Sequence, residues 1–241
     1  YDQVQEATNN MDHVINLAGL MTPDCSSNPI LGAKVNLLGS INVFEALKKN
    51  NIKFLVYASS AGVFGQKDHY YPFPETHYGA YKLAVEGVAR AYFNEVGISS
   101  VGIRPYVIYG PGREVGGTAG VTLACKAAKQ GNSYTVNFSG KAGFVYVKDV
   151  ARANIMAAIS NPDPEAYGQV YNVGSGVNLS VNDIASFISD DVVYIPPRIG
   201  EARNSLANID KIENTFAWKP QMSVEEWIKG QAVSYTHLRA H

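Results

Sequence analysis

Tyr78 and Lys82 stand four residues apart, a spacing that puts two side chains on one face of a helix. A free phenol with a pKa near ~10 is a poor proton shuttle at neutral pH, and a neighbouring ammonium favours the phenolate and lowers that value. The spacing alone says little. In a chain with 15 tyrosines roughly one such pair arises by chance, and an ordinary amphipathic helix with a partly exposed tyrosine gives the same pattern. Ser59 and Ser60 end an apolar run and open the turn Ala-Ser-Ser-Ala-Gly-Val-Phe-Gly. Ligands of open α/β sheets bind just beyond such strand ends. A hydroxyl at Ser60 can donate to a substrate oxygen and share a proton with a tyrosine, although a serine pair that only caps the strand reads the same way. Asn36, within the apolar stretch Val35-Asn36-Leu37-Leu38-Gly39, needs a hydrogen-bond partner wherever it packs, as a core asparagine also does.

The elements that must hold these groups alternate between strand-like and helical patterns, which predicts an α/β fold with parallel strands joined by crossover helices. Residues 13–18 (HVINLA) and 53–58 (KFLVYA) are nearly continuously apolar and are predicted to be neighbouring parallel strands buried on both faces. Residues 33–49 carry a helical apolar stripe that Asn50-Asn51 ends, and residues 78–96 a second one closed by Gly97. A strand over 101–108 is broken by Pro105 and followed by Gly110-Pro111-Gly112. Beyond it come a helix over 118–129, strands over 134–138 and 144–147, a helix over 150–159 with Asp149 as N-cap, a strand over 170–173 and a helix over 180–188. Residues 233–241 lose all periodicity and are read as a non-native tail.

A formal net charge of −1, from 20 basic and 21 acidic residues, gives no electrostatic footprint for nucleic acid or an anionic membrane. The predicted partner is a small molecule. Two cysteines, Cys25 and Cys125, suit neither a zinc site nor a disulfide scaffold, which points to a reduced cytoplasmic setting. No metal site is expected. No window of about 18 apolar residues stands out as a membrane span, and the first residues lack the pattern of a signal peptide.

A longer run of residues carries a resemblance. Leu17-Ala18-Gly19, Asn28-Pro29, Asn36-x-x-Gly39, Tyr57-Ala-Ser-Ser60-Ala-Gly-Val-Phe-Gly65, Tyr78-x-x-x-Lys82, Arg104-Pro105, Tyr109-Gly-Pro-Gly112, Phe144-Val-Tyr-Val-Lys-Asp149, Tyr171-Asn-Val-Gly-Ser-Gly176 and Trp218-Lys-Pro220 fall in one order. In that order they resemble the NAD-dependent epimerase/dehydratase family, the extended short-chain dehydrogenases, over residues 8 to 230. The resemblance implies a doubly wound, Rossmann-like parallel sheet with a smaller mixed α/β substrate lobe. Residues 1–111 and 140–173 would form the dinucleotide-binding part, and 112–139 with 174–232 the substrate lobe.

Position by position, the resemblance makes Tyr78 the general acid/base, Lys82 its pKa-lowering partner and a ribose ligand, and Ser60 the hydroxyl that orients substrate. Ala18, Gly19 and Leu20 would line the cofactor, with Asn36 supporting that helix and site; Pro105, Tyr106 and Val107 would lie near the nicotinamide. The cofactor would be NAD or NADP, with NAD favoured, and the assembly a homodimer. Arg198 matches a phosphate-contacting arginine of the family. Several features depart from the pattern. The chain starts where the family's fourth strand is about to begin, so the sheet is expected to be incomplete and the Gly-rich phosphate-binding turn absent, leaving NAD(P) binding too weak for turnover. Ala61 and Gly62 stand where sugar dehydratases of the family carry an acidic pair, which disfavours dehydration, and Ala142 replaces an arginine of many nucleotide-sugar members. The leading expectation is hydride transfer on a sugar or sugar-like hydroxyl. A reductase of a non-sugar alcohol or ketone is the alternative among enzymes, and an NAD(P)-binding sensor without turnover the alternative outside them.

Overall fold

A computed structural model of the chain describes residues 1–65, 70–136, 140–160, 162–189, 204–205 and 207–238. Helices α1 (Asp2–Ala7), α2 (Thr22–Ser27), α3 (Pro29–Ala33), α4 (Gly39–Lys49), α5 (His77–Val96), α6 (Gly120–Lys129), α7 (Val147–Ile159), α8 (Val181–Ile188), α9 (Asp210–Phe216) and α10 (Val224–Leu238) are interleaved, among the described residues, with eight strands. These are β1 (Val14–Asn16), β2 (Phe54–Ala58), β3 (Ser99–Pro105), β4 (Val107–Tyr109), β5 (Lys141–Tyr146), β6 (Gln169–Val173), β7 (Asn178–Ser180) and β8 (Asn204–Ser205). A π-helical segment, Lys34–Leu38, joins α3 to α4.

The first sheet has the order β1-β2-β3-β6, all parallel. Val14 lies opposite Leu55, and Val56 opposite Val101. Successive side chains of β2 point to opposite faces, so Leu55 and Tyr57 pack with Phe44, Leu47, Val85 and Ala89 of α4 and α5. Phe54 and Val56 join the core that holds Ala153 and Ala157 of α7, Ile212 and Phe216 of α9, and Trp218. Helices on both faces of a parallel sheet make this the doubly wound arrangement. One expectation needs correction: β1 is not buried on both faces. It is the edge strand among the described residues, with Ile15 38% exposed and Leu17, just beyond its end, 63% exposed.

Pro105 explains why the chain then changes sheet. Lacking an N–H it ends β3, Tyr106 N donates to Val173 O at 2.9 Å, and the next strand, β4, pairs with β5 instead. The second sheet runs β4-β5-β7, with β8 also on β5. Its core joins Tyr109, Val121, Phe144, Ile184, Trp227 and Ile228, so α6, α8 and α10 cover it.

Local signals set most helix ends. Thr76 accepts from Gly79 N at the start of α5, and Gly97, at φ 75°, closes it. Ser180 and Asp183 form a reciprocal capping box on α8. No strand forms over Tyr134 to Val136, and the rest of that expected strand lies outside the described residues. Residues 233–238, read as part of a non-native tail, continue α10. The helical run Pro29–Lys49 is also long and apolar enough to cross a membrane by length and composition, which the sequence reading missed. A core helix passes the same test, and Phe44, Ala46 and Leu47 are buried here.

Asp149 is not the N-cap of α7; that place belongs to Tyr146. The aspartate is 2% exposed and pins the segment after α9 instead. Its Oδ2 accepts from Gln221 N (2.9 Å) and Met222 N (3.2 Å), its Oδ1 from Arg152 (2.8 Å), and its carbonyl from the Trp218 indole (3.0 Å). Removing a buried, fully bonded carboxylate strands several donors at once. Asp149→Ala is therefore expected to lose about 3 kcal/mol of stability, read from the urea midpoint; an unchanged midpoint would contradict the pinning role.

Candidate active site

Because β1, β2 and β3 are parallel, their carboxyl ends share one edge of the sheet. Gly19-Leu20, Ser59-Ser60 and Pro105-Tyr106 therefore emerge together. The start of α5 presses onto this edge. A Cβ on Gly79 would lie 2.0 Å from Gly62 O, and one on Gly62 would lie 3.4 Å from Tyr78 Cδ1. Two missing side chains thus let the Tyr78 ring rest on the turn that follows Ser60. The Ser60 Oγ accepts from Gly62 N at 3.0 Å, and a Cβ on Gly62 would meet both Ser60 Oγ (3.3 Å) and the Tyr78 ring (3.4 Å), so hydroxyl and ring flank one point. Burial holds the phenol's pKa above its ordinary value, and the Ser60 hydroxyl and the positive charge of Arg113 only partly offset that rise.

Lys82, one turn further along α5, is 6% exposed. Its Nζ donates to Ala58 O at 2.7 Å and lies 5.7 Å from the Tyr78 ring centre. Burial holds its pKa down at about 8. The ammonium is thus poised to lose its proton in a range where lysine ordinarily keeps it.

Asn36 sits in the π-helical segment, a distortion often found at functional sites. It clasps the loop after β1: Leu20 N donates to its Oδ1 (2.7 Å), and its Nδ2 donates to Leu20 O (3.0 Å) and to Cys25 Sγ (3.1 Å). A Cβ on Gly19 would come within 2.9 Å of Asn36 Oδ1 and 3.4 Å of Lys82 Nζ. Only glycine keeps this corner open. Ala18 and Gly19 are exposed and Leu20 half-buried, so an open backbone cradle lies beside the lysine, and these residues fit a cofactor's ribose and nicotinamide end.

The sheet edge thus brings together Ser60, Tyr78, Lys82, Asn36 and the loop at Gly19. Tyr106 differs from the others. Its ring is 7% exposed and packed in the core, its hydroxyl pushed up to about 12 by burial; Pro105 and Val107 are half-buried. Arg198 lies outside the described residues. Ala142 pairs within the second sheet, opposite Leu179 and Ser205. Among the described residues no cluster of His, Cys, Asp or Glu could hold a metal.

Two charged residues went unremarked in the sequence. Arg113 follows directly on Gly112, and its guanidinium lies against Met21 Sδ (3.5 Å) and Thr118 Oγ1 (3.3 Å), with Nε buried and unbonded. A cation just after a strand-end Gly-Pro-Gly turn was the available signal. Arg113→Met is expected to raise the ionisation midpoint of Tyr78, followed by NMR of isotope-labelled tyrosine with Tyr78→Phe as assignment; no rise would show that the guanidinium does not bear on the phenol. Glu86, a further turn along α5 from Lys82, binds Ser59 and Arg104, and its spacing of four from Lys82 could have been read.

Residues 1–174 match the model of the NAD dependent epimerase/dehydratase family. The chain is 31% identical over 218 residues to a putative UDP-glucose 4-epimerase of Methanocaldococcus jannaschii, covering 84% of this chain and 69% of that protein. Among solved structures it is similar to the UDP-glucose 4-epimerase of Thermotoga maritima with UDP-glucose, at a TM-score of 0.85 and 25% identity over 100% of this chain and 82% of that one. The Thermus thermophilus UDP-glucose 4-epimerase complex with NAD gives a TM-score of 0.82 at 25% identity, over 98% and 81% of the two chains.

Proposed function

Because the chain belongs to the NAD-dependent epimerase/dehydratase family, we propose that it acts on the hydroxyl of a nucleotide-linked sugar by reversible hydride transfer, with Tyr78 as general acid/base. The observation that carries this reading is the Tyr78 ring, which flanks Gly62 together with the Ser60 hydroxyl and stands one turn from Lys82, at the carboxyl ends of three parallel strands. When bound, NAD supplies the hydride acceptor and donor at its nicotinamide ring. Gly19, Leu20 and Lys82 would hold its ribose and nicotinamide end, and NAD is proposed over NADP.

Tyr78 takes the proton of the substrate hydroxyl as that carbon is oxidised to a carbonyl, and returns it when the carbonyl is reduced. Ser60 donates to the same oxygen, holding it in line with the phenol. Arg113 favours the phenolate form by its charge, and Lys82, one turn along α5, is proposed to add to that effect. Return of hydrogen to the opposite face of the sugar gives epimerisation. Ala61 and Gly62 offer no acid beside Ser60, so loss of water is not the proposed outcome. The names of the similar proteins support a UDP-hexose as the first substrate to try. A homodimer is part of the proposal, supported by Ile30, Leu31 and Leu38, which are 72%, 46% and 50% exposed on the helical run that leads into α4; a reducing cytoplasm is proposed beside it. Sedimentation as a monomer would count against the dimer.

The test is conversion of UDP-glucose to UDP-galactose with NAD. It is run on the chain as it stands and on the chain preceded by a family member's Gly-rich strand–turn–helix unit. Conversion in the second form is the expected result; NAD bound there without conversion of any nucleotide sugar would favour the sensor reading.

A further inference from the structure

Ser60 has a part in the proposed proton transfer, and its neighbour Ser59 does not touch the substrate oxygen there. Ser59 is 2% exposed, and its hydroxyl donates to Glu86 Oε1 at 2.5 Å. Glu86, itself 3% exposed, takes a two-pronged ion pair from Arg104, Nε to Oε1 at 2.7 Å and Nη2 to Oε2 at 2.6 Å. Arg104 in turn lies 5.0 Å from the centre of the Phe64 ring, beyond the turn that follows Ser60. Ser59 N donates to Ile103 O at 2.7 Å, and Ala58 O accepts from Lys82. One carboxylate therefore ties the end of β2, the face of α5 that carries Tyr78 and Lys82, and the end of β3.

We infer that Glu86, neutralised by Arg104, is a positioning residue: it grips Ser59 so that Ser60 presents its hydroxyl to Tyr78. The chain is extended at Ser60, with φ −164° and ψ 151°, so neighbouring side chains there point to opposite sides. Anchoring Ser59 inward is what turns Ser60 outward to the phenol. A site of this kind works only when the groups that touch substrate are themselves locked by a supporting shell. The groups that bias Tyr78 are the surrounding burial, the Ser60 hydroxyl, Arg113 and Cys25, and Lys82 stands one turn away. A change at Ser59 that leaves the Glu86–Arg104 pair in place therefore reaches the phenol by way of Ser60. The inference rests on the proposed roles of Ser60 and Tyr78.

The experiment is the ionisation midpoint of Tyr78, by NMR of isotope-labelled tyrosine in the full chain, for Ser60→Ala, Ser59→Ala, Ser59→Thr and Glu86→Gln. Losing a hydrogen bond to a charged oxygen corresponds to about one pH unit. Ser60→Ala is expected to raise the midpoint by that amount, Ser59→Ala by about half of it or more, and Ser59→Thr, which keeps the hydroxyl, hardly at all. Glu86→Gln leaves Arg104 uncompensated and risks the fold, so Ser59→Ala, which spares the ion pair, decides the matter. A midpoint that moves in Ser60→Ala but not in Ser59→Ala overturns the positioning role and leaves the proposed function standing. A midpoint that Ser60→Ala fails to move overturns the assignment of Ser60 itself, and the inference with it.

Discussion

In the chain preceded by a family member's Gly-rich unit, Tyr78→Phe is expected to lower turnover by roughly a thousandfold, the scale of a lost general acid/base, with NAD affinity changed no more than a few-fold. The substitution deletes one hydroxyl from a ring whose packing on Gly62 is made by its carbon atoms. Ser60 keeps its bond from Gly62 N, Lys82 keeps Ala58 O, and the Asn36 clasp on Leu20 is untouched. The proton carrier is lost and little else. Calorimetric titration with NAD beside steady-state conversion measures both quantities. Turnover and affinity falling together would mean that the ring, rather than the hydroxyl, is what the site needs.

Lys82→Met should separate function from stability in the opposite sense. Activity and cofactor affinity are both expected to fall, since the ammonium serves the phenolate and the ribose, with turnover down by roughly a hundredfold. Stability at neutral pH is expected to rise. Burial holds the Lys82 pKa at about 8 against an ordinary 10.5, so the folded state carries the cost of a buried charge, roughly 3 kcal/mol. Methionine removes that cost and gives up one hydrogen bond to Ala58 O, worth about 1 kcal/mol; the net gain is about 2 kcal/mol. The sign fixes the pH dependence. Below the folded value both states are protonated and the cost is fully present. Between about 8 and 10.5 the unfolded chain binds more protons, so the wild type gains stability as pH rises and the advantage of Lys82→Met shrinks. Urea midpoints at neutral pH and above that window test this. A variant less stable at neutral pH, or a difference independent of pH, would contradict it. Charge kept at a cost to the fold is what a catalytic position can require.

The parts of this site that obey a period were legible in the sequence. Tyr78 and Lys82 on one helical face, Ser60 at a strand end, and the parallel pair β1 and β2 all follow from local pattern. What pattern could not supply was the partner across the fold. The chemistry of Asn36 demanded a hydrogen-bond partner, yet the groups it clasps, the Leu20 backbone and the Cys25 thiol, lie 16 and 11 residues away. Pro105 announced a break in a strand without telling which sheet the chain joins next. Asp149 looked like a helix cap because its type and place suit one, and its bonds instead reach across to Gln221 and Met222. For β1, apolar character was read as burial on both faces, but among the described residues no strand lies on its outer side. Arg113 escaped notice because its bearing on Tyr78 comes from a loop that returns to the sheet edge only in three dimensions.

Absorbance of reduced nicotinamide in a single turnover reads the hydride transfer that Tyr78 is proposed to couple to its proton. The chain, preceded by a family member's Gly-rich unit and loaded with NAD, is mixed with a UDP-hexose, and the wild type is compared with Tyr78→Phe at equal NAD occupancy. A transient rise in the wild type and none in Tyr78→Phe is the predicted result; an equal rise in both would show that Tyr78 does not carry the proton.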